Sequence, residues 1–260
     1  HRSTWHIGME NSHLDTFQSL THHIPTTPNS FFKQCEPTLR CQGSPFPHGS
    51  SYQELWKARD KATETAHNTF LKTCKWSDLK AFEVILKALP KNTNLQSGNS
   101  SAVRYVLLFN HQEHHTHNSN RGVAGIDGCT STAIGAAMVN NRPTTIITGD
   151  ISFFYDSNAF WNSHLPNNLR VILINNGGGK IFRIIKGPDT TNQLEGYFET
   201  HHNLQSEHIA RLYDLNYYQA DSVETLTEVL TVFYENQDNG RPAILEVKTP
   251  RLENDKVLKR

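Results

Sequence analysis

Thr144-Thr145-Ile146-Ile147-Thr148-Gly149-Asp150 and Val171-Ile172-Leu173-Ile174-Asn175-Asn176 are two apolar runs, each closed by a residue with a side-chain oxygen. Short runs rich in β-branched residues and ended by turn residues read as buried strands. In a parallel sheet, two such strands deliver a carboxylate and a carboxamide beyond their C-terminal ends, where ligands bind in open α/β sheets. With a carbonyl from Gly177-Gly178-Gly179, these oxygens form a hard donor set. It suits magnesium, which keeps its other positions for phosphate oxygens and water. The pair therefore reads as half of a site for a magnesium diphosphate. Taken singly, Gly149-Asp150 also suits an aspartate capping the next helix, and Asn175-Asn176-Gly177 is a common turn signal.

Outward from this pair, short apolar runs alternate with helical periodicity. The pattern predicts helices over Tyr52 to Leu89, broken at Ser77-Asp78 and stopped by Pro90. It then predicts a strand near Leu95-Gln96, helices Ser100 to Asn110 and Cys129 to Val139, and strand Thr144 to Thr148. Helix Ser157 to Ser163, strand Arg170 to Ile174 and helix Ser206 to Tyr213 follow. Strand Tyr217 to Ala220, helix Ser222 to Glu235 and strand Ala243 to Val247 end the series. Alternating β and α units argue for an α/β fold, a parallel sheet with helices on both faces. Residues 1 to 50, rich in His, Thr, Pro and Ser, show one helix-like patch at Ser30 to Gln34, which Asn29-Ser30 can cap. They read as the tail of a preceding domain, with Gly43-Ser44-Pro45-Phe46-Pro47-His48-Gly49 as a linker and residues 51–260 as the main domain.

Composition excludes several classes. The 25 basic and 25 acidic side chains balance, so no basic field favours nucleic acid or an anionic membrane surface. The longest apolar runs, such as Val106-Leu107-Leu108-Phe109, are too short to span a bilayer. Cys35, Cys41, Cys74 and Cys129 lack Cys-x-x-Cys spacing and suggest reduced thiols in a cytoplasmic protein. The chain opens at His1, and Trp5-His6-Ile7-Gly8 resembles mid-domain sequence, so a fragment is expected. His111, His114, His115 and His117 have no nearby cysteine and read as a solvated loop rather than a zinc site. Phe153, Phe154, Tyr155, Phe160 and Trp161 read as core and interface, and Lys256, Lys259 and Arg260 as a frayed terminus.

Two further loops follow predicted strands. Gly98-Asn99-Ser100 enters a helix that Ser100 can cap, and Arg104 shares a face with Ser100. The alternative is a capped helix with a solvated arginine. Asn118 to Gly128 carries Gly122, Gly125 and Gly128, whose spacing lets backbone approach a ligand or simply makes a tight turn. It is neither the Gly-x-Gly-x-x-Gly dinucleotide pattern nor a Gly-Lys-Ser/Thr phosphate loop. Ile126, apolar in a polar loop, suggests packing on something flat, and Asp127 suits a helix cap better than a ligand.

Gly149-Asp150 with Asn175-Asn176 resembles the signature of thiamine-diphosphate-dependent enzymes, with Ile151 where that family usually has a third glycine. The wider set is Gly98-Asn99-Ser100 with Arg104, Ser119-Asn120-Arg121-Gly122, Gly125-Ile126-Asp127-Gly128, Asp150-Ile151-Ser152 and Asn176-Gly177-Gly178 with Ile181-Phe182. It is similar to one branch of the family, the 2-succinyl-5-enolpyruvyl-6-hydroxy-3-cyclohexene-1-carboxylate synthases of menaquinone biosynthesis. The resemblance implies a thiamine-diphosphate-binding fold over residues 51–260. It implies magnesium or manganese on Asp150, Asn176 and the Gly178 carbonyl. Gly122, Ile126, Gly149, Ile151, Ser152, Ile181 and Phe182 would contact the cofactor, and Ser100, Arg104 and Arg121 the substrate carboxylates. The implied reaction decarboxylates 2-oxoglutarate and joins the remaining four-carbon unit to isochorismate, in a homodimer or homotetramer. By the same resemblance, the glutamate that activates the cofactor would come from a further N-terminal domain, usually across a dimer interface, so the chain alone is expected to be inactive. An acetolactate-synthase-like enzyme and a non-catalytic diphosphate-binding module are the competing readings.

Overall fold

The structure, a computed structural model, describes residues 3–10, 15, 17–40, 51–110, 115–235 and 240–259. The chain divides into two compact units, His1–Thr69 and Phe70–Arg260. The expected linker Gly43 to Gly49 and Cys41 lie outside the described residues.

The first unit holds more order than its polar sequence suggests. Strands β1 (Thr4–Ile7) and β2 (Leu20–Ile24) pair in parallel, and helix α1 (Pro28–Arg40) follows. The Thr27 hydroxyl, not Asn29 or Ser30, caps α1 by accepting from the Ser30 N–H at 3.2 Å. Helix α2 (Ser51–Thr73) runs across the boundary between the units.

In the second unit, Ser77 caps helix α3 (Asp78–Ala88) by accepting from the Lys80 N–H. Then come strand β3 (Asn94–Ser97), helix α4 (Ser101–Val106), strand β4 (Thr116–Ser119) and helix α5 (Cys129–Met138). Strand β5 (Thr144–Gly149) passes directly into helix α6 (Asp150–Tyr155), and strand β6 (Leu169–Asn175) follows. Helix α7 (Glu207–Leu212), strand β7 (Asn216–Ala220), helix α8 (Val223–Glu235), strand β8 (Ala243–Lys248) and helix α9 (Asn254–Leu258) complete it.

The strands form one sheet in the order β4-β3-β5-β6-β8-β7, and every pairing is parallel. Side-chain alternation splits the core between its two faces. Leu169, Val171 and Leu173 of β6 join residues of α5, α6 and α7, whereas Ile172 and Ile174 join residues of α3, α4 and α8. Both faces of β6 are therefore dry, as its continuous apolar run requires. Each of these fully buried side chains contributes about 2 kcal/mol from apolar burial.

Three expectations change. The helix placed over Ser157 to Ser163 is a single 3-10 turn at Ser157–Phe160, and α6 before it takes the helical role. His117 lies in β4, an edge strand, rather than in a loop, and His115 immediately precedes it; His111 and His114 fall outside the described residues. The terminal segment is helix α9, and Lys259 Nζ donates to the Arg183 carbonyl at 2.7 Å, so the described part of the terminus is tied down. Among the aromatic residues, Phe153 and Phe160 are core, while Tyr155 and Trp161 are exposed. No helix among the described residues is long and apolar enough to cross a membrane.

Candidate metal and diphosphate site

Four adjacent strands, β4, β3, β5 and β6, end at one edge of the sheet. Their loops surround a pocket of about 760 Å³. Ser100, Arg104, Arg121, Ile126, Gly149, Asp150, Ile151, Ser152, Asn176, Gly178, Ile181 and Phe182 all line it. Gly122, expected at the cofactor, is not among the lining residues; Ala124 and Gly125 take that place in the loop.

Asp150 opens α6 immediately after β5 and is 3% exposed. Its Oδ1 accepts from the Ile151 N–H at 2.7 Å and its Oδ2 from the Gly178 N–H at 2.9 Å. These bonds pin the carboxylate between the β5 and β6 loops. His202 Nε2 stands 3.3 Å from Oδ2.

The two asparagines after β6 differ sharply. Asn175 is occupied on both sides. Its Nδ2 donates to Glu246 Oε1 at 2.6 Å and to the Leu204 carbonyl, and its Oδ1 accepts from the Gly177 N–H. Glu246 is fully buried and also accepts from Ser206 and from the Tyr217 hydroxyl. Asn176 instead donates through Nδ2 to Asp78 Oδ2 at 2.9 Å. Its Oδ1 is buried and has no hydrogen-bond partner among the described residues. A buried amide oxygen without a donor is destabilising by about 1–3 kcal/mol unless something outside the chain meets it.

Asp78 is a buried carboxylate that sequence reading did not single out. Thr249 Oγ1 donates to its Oδ1 at 2.5 Å, and its own N–H donates to Asn254 Oδ1 at 2.8 Å. Burial pushes its carboxyl up to about 6, against the hydrogen bonds from Thr249 and Asn176 and with the help of nearby Asp150.

Between these groups, Gly178 holds φ +141°, and a Cβ there would lie 2.4 Å from the Glu199 carbonyl oxygen. Only glycine lets the β6 loop pass so close to the 199 segment. Glu199 is buried beside Lys180 at 3.1 Å and His201 at 2.9 Å, and it also pairs with Arg183. Burial alone would raise its pKa, but the bonds from Arg183 and Lys180 hold it below the usual value.

On the other side, Asn99 ties its own loop to the Asn118–Gly128 loop. Its Nδ2 donates to the Gly125 carbonyl at 2.7 Å, and its Oδ1 accepts from Arg121 Nη1 at 2.6 Å and from the Ser100 N–H. Arg104 Nη1 donates to the Ser100 carbonyl at 2.6 Å. A guanidinium has five donors, so each tether leaves others for an anionic ligand. Ser100 occupies the helix N-cap position at φ +69° but makes no side-chain cap; Asn99 bonds its N–H instead. Asp127 likewise caps nothing. Gly128 is the N-cap of α5, and Asp156 satisfies that helix from outside by accepting from the Ser131 N–H and hydroxyl. Ser152 Oγ donates to the Ile126 carbonyl, so its proton is already engaged. Ile181, Phe182, Tyr197 and Phe198 close an apolar flank, with the two phenylalanine rings 5.3 Å apart.

The residues fit a hard divalent ion. Among the described residues no group of three His, Cys, Asp or Glu side chains converges as a metal cage. The oxygens that the resemblance assigns are the Asp150 carboxylate, the orphaned Asn176 amide oxygen and the Gly178 carbonyl, which also accepts from the Lys180 N–H at 2.9 Å; such a set is oxygen chemistry of the magnesium and manganese kind. Asp78 and Asp150 also place two acidic groups at the same edge with His202 as the close basic group on Asp150.

No family model matches the chain. Curated proteins do. The chain is 44% identical over 255 residues to the 2-succinyl-5-enolpyruvyl-6-hydroxy-3-cyclohexene-1-carboxylate synthase of Flavobacterium johnsoniae, covering 98% of this chain and 44% of that protein. It is 45% identical over 254 residues to the enzyme of that name in Flavobacterium psychrophilum, and 43% identical over 258 residues to that of Porphyromonas gingivalis, with the same coverage. The chain thus spans less than half the length of these curated relatives. Over that span, the chain belongs to the 2-succinyl-5-enolpyruvyl-6-hydroxy-3-cyclohexene-1-carboxylate synthase family.

Proposed function

We propose that this chain carries the metal and diphosphate half of a thiamine-diphosphate site. It would serve a carboligase that decarboxylates 2-oxoglutarate and adds the remaining unit to isochorismate in menaquinone biosynthesis. The observation that carries the reading is the orphaned Oδ1 of Asn176 in the same pocket as Asp150 and Gly178. Asp150, Asn176 Oδ1 and the Gly178 carbonyl would hold magnesium, or manganese in its place, which would supply charge neutralisation for the diphosphate. When bound, the cofactor supplies the electron sink for loss of carbon dioxide from a 2-oxo acid.

The chain's own residues then bind, orient and exclude water. Ile126, Ile181 and Phe182 present apolar surface to the cofactor ring and keep the reacting space dry, which strengthens the electrostatic interactions inside it. Gly149, Ile151 and Ser152 bring the start of α6 to the diphosphate. The Ser152 hydroxyl donates to the Ile126 carbonyl, so it would reach a diphosphate oxygen as a donor only by giving up that bond. Arg104 and Arg121, held by Ser100 and Asn99, grip substrate carboxylates through two parallel charge-assisted hydrogen bonds each. Because the relatives are more than twice as long, the activity belongs to the intact protein, working as a homo-oligomer in the cytoplasm. The chain alone binds cofactor weakly and does not turn over.

Titration calorimetry of the intact protein with thiamine diphosphate, and separately with adenine nucleotides, each with magnesium, tests this. Selective, magnesium-dependent binding of thiamine diphosphate is expected, together with carbon dioxide release from 2-oxoglutarate when isochorismate is present. Tighter binding of the adenine nucleotides would overturn the reading.

A further inference from the structure

An asparagine side chain can face a metal with either end, because its oxygen and nitrogen are nearly the same size. Only the oxygen ligates. What decides the orientation is the group behind it. Behind Asn176 stands Asp78, with Oδ2 2.9 Å from Asn176 Nδ2. An ionised carboxylate accepts and cannot donate, so it captures the NH₂ end and rejects the oxygen end. The result is the observed state, with Asn176 Oδ1 buried and without a partner among the described residues.

Asp78 is itself held from three directions. Ser77 caps the helix it begins, Thr249 at the end of β8 donates to its second oxygen, and Asn254 of α9 accepts from its N–H. Asp78 is 2% exposed, so water does not compete for these bonds. A buried carboxylate with two neutral hydrogen-bond donors, one of them a residue of the pocket, is expensive to maintain for structure alone.

We propose that Asp78 is a positioning residue. It sets the orientation of the Asn176 amide and thereby aims Oδ1 at the divalent ion. The inference rests on the metal site proposed above. It adds a residue from α3, distant in sequence from the pocket loops, whose removal weakens metal binding without removing a ligand. Partners of this kind typically matter by about 10- to 100-fold in metal affinity.

The test is Mn²⁺ binding to the intact protein with thiamine diphosphate, read from the electron paramagnetic resonance signal of free Mn²⁺, with thermal melting as the folding control. If the wild-type protein binds no Mn²⁺, the metal site itself is refuted. If it binds, Asp78→Asn should weaken Mn²⁺ affinity by about 10-fold or more. Asn176→Asp alone should also weaken it, by setting two carboxylates face to face. The double exchange Asp78→Asn with Asn176→Asp restores one amide donating to one carboxylate, and should recover at least half of the lost binding on a logarithmic scale. A folded Asp78→Asn protein with wild-type Mn²⁺ affinity would overturn the proposal. So would a double variant that fails to fold, or that folds without recovering affinity. If Asp78→Asn alone does not fold, the double variant decides.

Discussion

Two buried acids flank the Gly177–Gly179 loop, and they live in opposite electrostatic worlds. Glu199 is surrounded by Lys180, Arg183 and His201, and its pKa is depressed. Asp78 touches only neutral hydrogen-bond donors, and burial, helped by Asp150 and opposed by those donors and by the more distant charge of Lys180, raises its pKa to about 6. The first cluster is complete within the chain and reads as scaffold, tying the 180 and 199 segments where Gly178 passes the Glu199 carbonyl. The second carries excess acidity and an orphaned amide oxygen, which is the condition of a site that receives a cation. Charge compensation therefore separates framework from site more sharply than burial does, since both acids are buried.

Four experiments probe this contrast, in order of expected effect. Asp150→Ala removes a ligand rather than its support, so Mn²⁺ binding in the presence of thiamine diphosphate should fall by more than about 100-fold in calorimetry, beyond the usual range for supporting residues. Retained binding would show that the acidic side is framework too. Glu199→Gln strands Lys180 in the interior and should lower unfolding free energy by about 3 kcal/mol at pH 7 in urea titrations. Because the folded pKa of Glu199 is depressed, its contribution is present above about pH 4.5 and lost as pH falls through the folded value. The gap between wild type and variant should therefore close in acid, and a gap unchanged down to pH 3 would show that Glu199 acts through packing instead.

Arg104→Ala should raise the apparent KM for 2-oxoglutarate by about 100-fold, the loss of two charged hydrogen bonds at roughly 1.5 kcal/mol each. Pyruvate, lacking the second carboxylate, should be affected much less. Equal effects on both would place Arg104 outside substrate recognition. The smallest effect concerns Asp78 in metal-free protein. Its raised folded pKa means that its contribution is favourable at low pH and is lost as pH rises through about 6. Asp78→Asn, which does not titrate, should therefore gain on wild type by about 1 kcal/mol between pH 5 and pH 8 in parallel denaturation curves. An equal pH response in the two proteins would mean that Asp78 is well solvated or paired in solution.

Much of the second unit was legible because its signals are local. The dry strands β5, β6 and β8 are short runs rich in apolar and β-branched residues, broken in β8 only by Glu246 before its last two residues, and α5 and α8 have helical spacing, so each appears in any window of ten residues. β4 was missed because Thr116-His117-Asn118-Ser119 has no apolar alternation. It is a strand because β3 offers a free edge and Asn94 Oδ1 accepts from Asn118 Nδ2 at 3.0 Å and from Thr116. α6 was missed because it starts at the residue after the last of β5, with no turn between them to announce it. The caps assigned to Ser100 and Asp127 were wrong for a related reason. Capping residue types were present, but the Gly98 carbonyl accepts from the Val103 N–H at the start of α4, and Asp156, placed by a tertiary contact, accepts from the Ser131 N–H of α5.

The amino-acid order alone determined the alternation of strands and helices, and with it the edge at which Asp150, Asn176 and the glycine-rich loops gather. Hydrophobic periodicity and chain direction suffice for that, since parallel strands with short loops must present their C-terminal ends together. Folding alone decided which asparagine keeps a free oxygen and which way that oxygen points. Asn175 and Asn176 are neighbours with identical side chains, and they part only because Glu246, from β8, meets one and Asp78, from α3, meets the other. Hydrogen bonds between residues 71 and 98 positions apart in the chain leave no trace in a local pattern, because a carboxylate's partner is set by where the backbone brings it rather than by what precedes it.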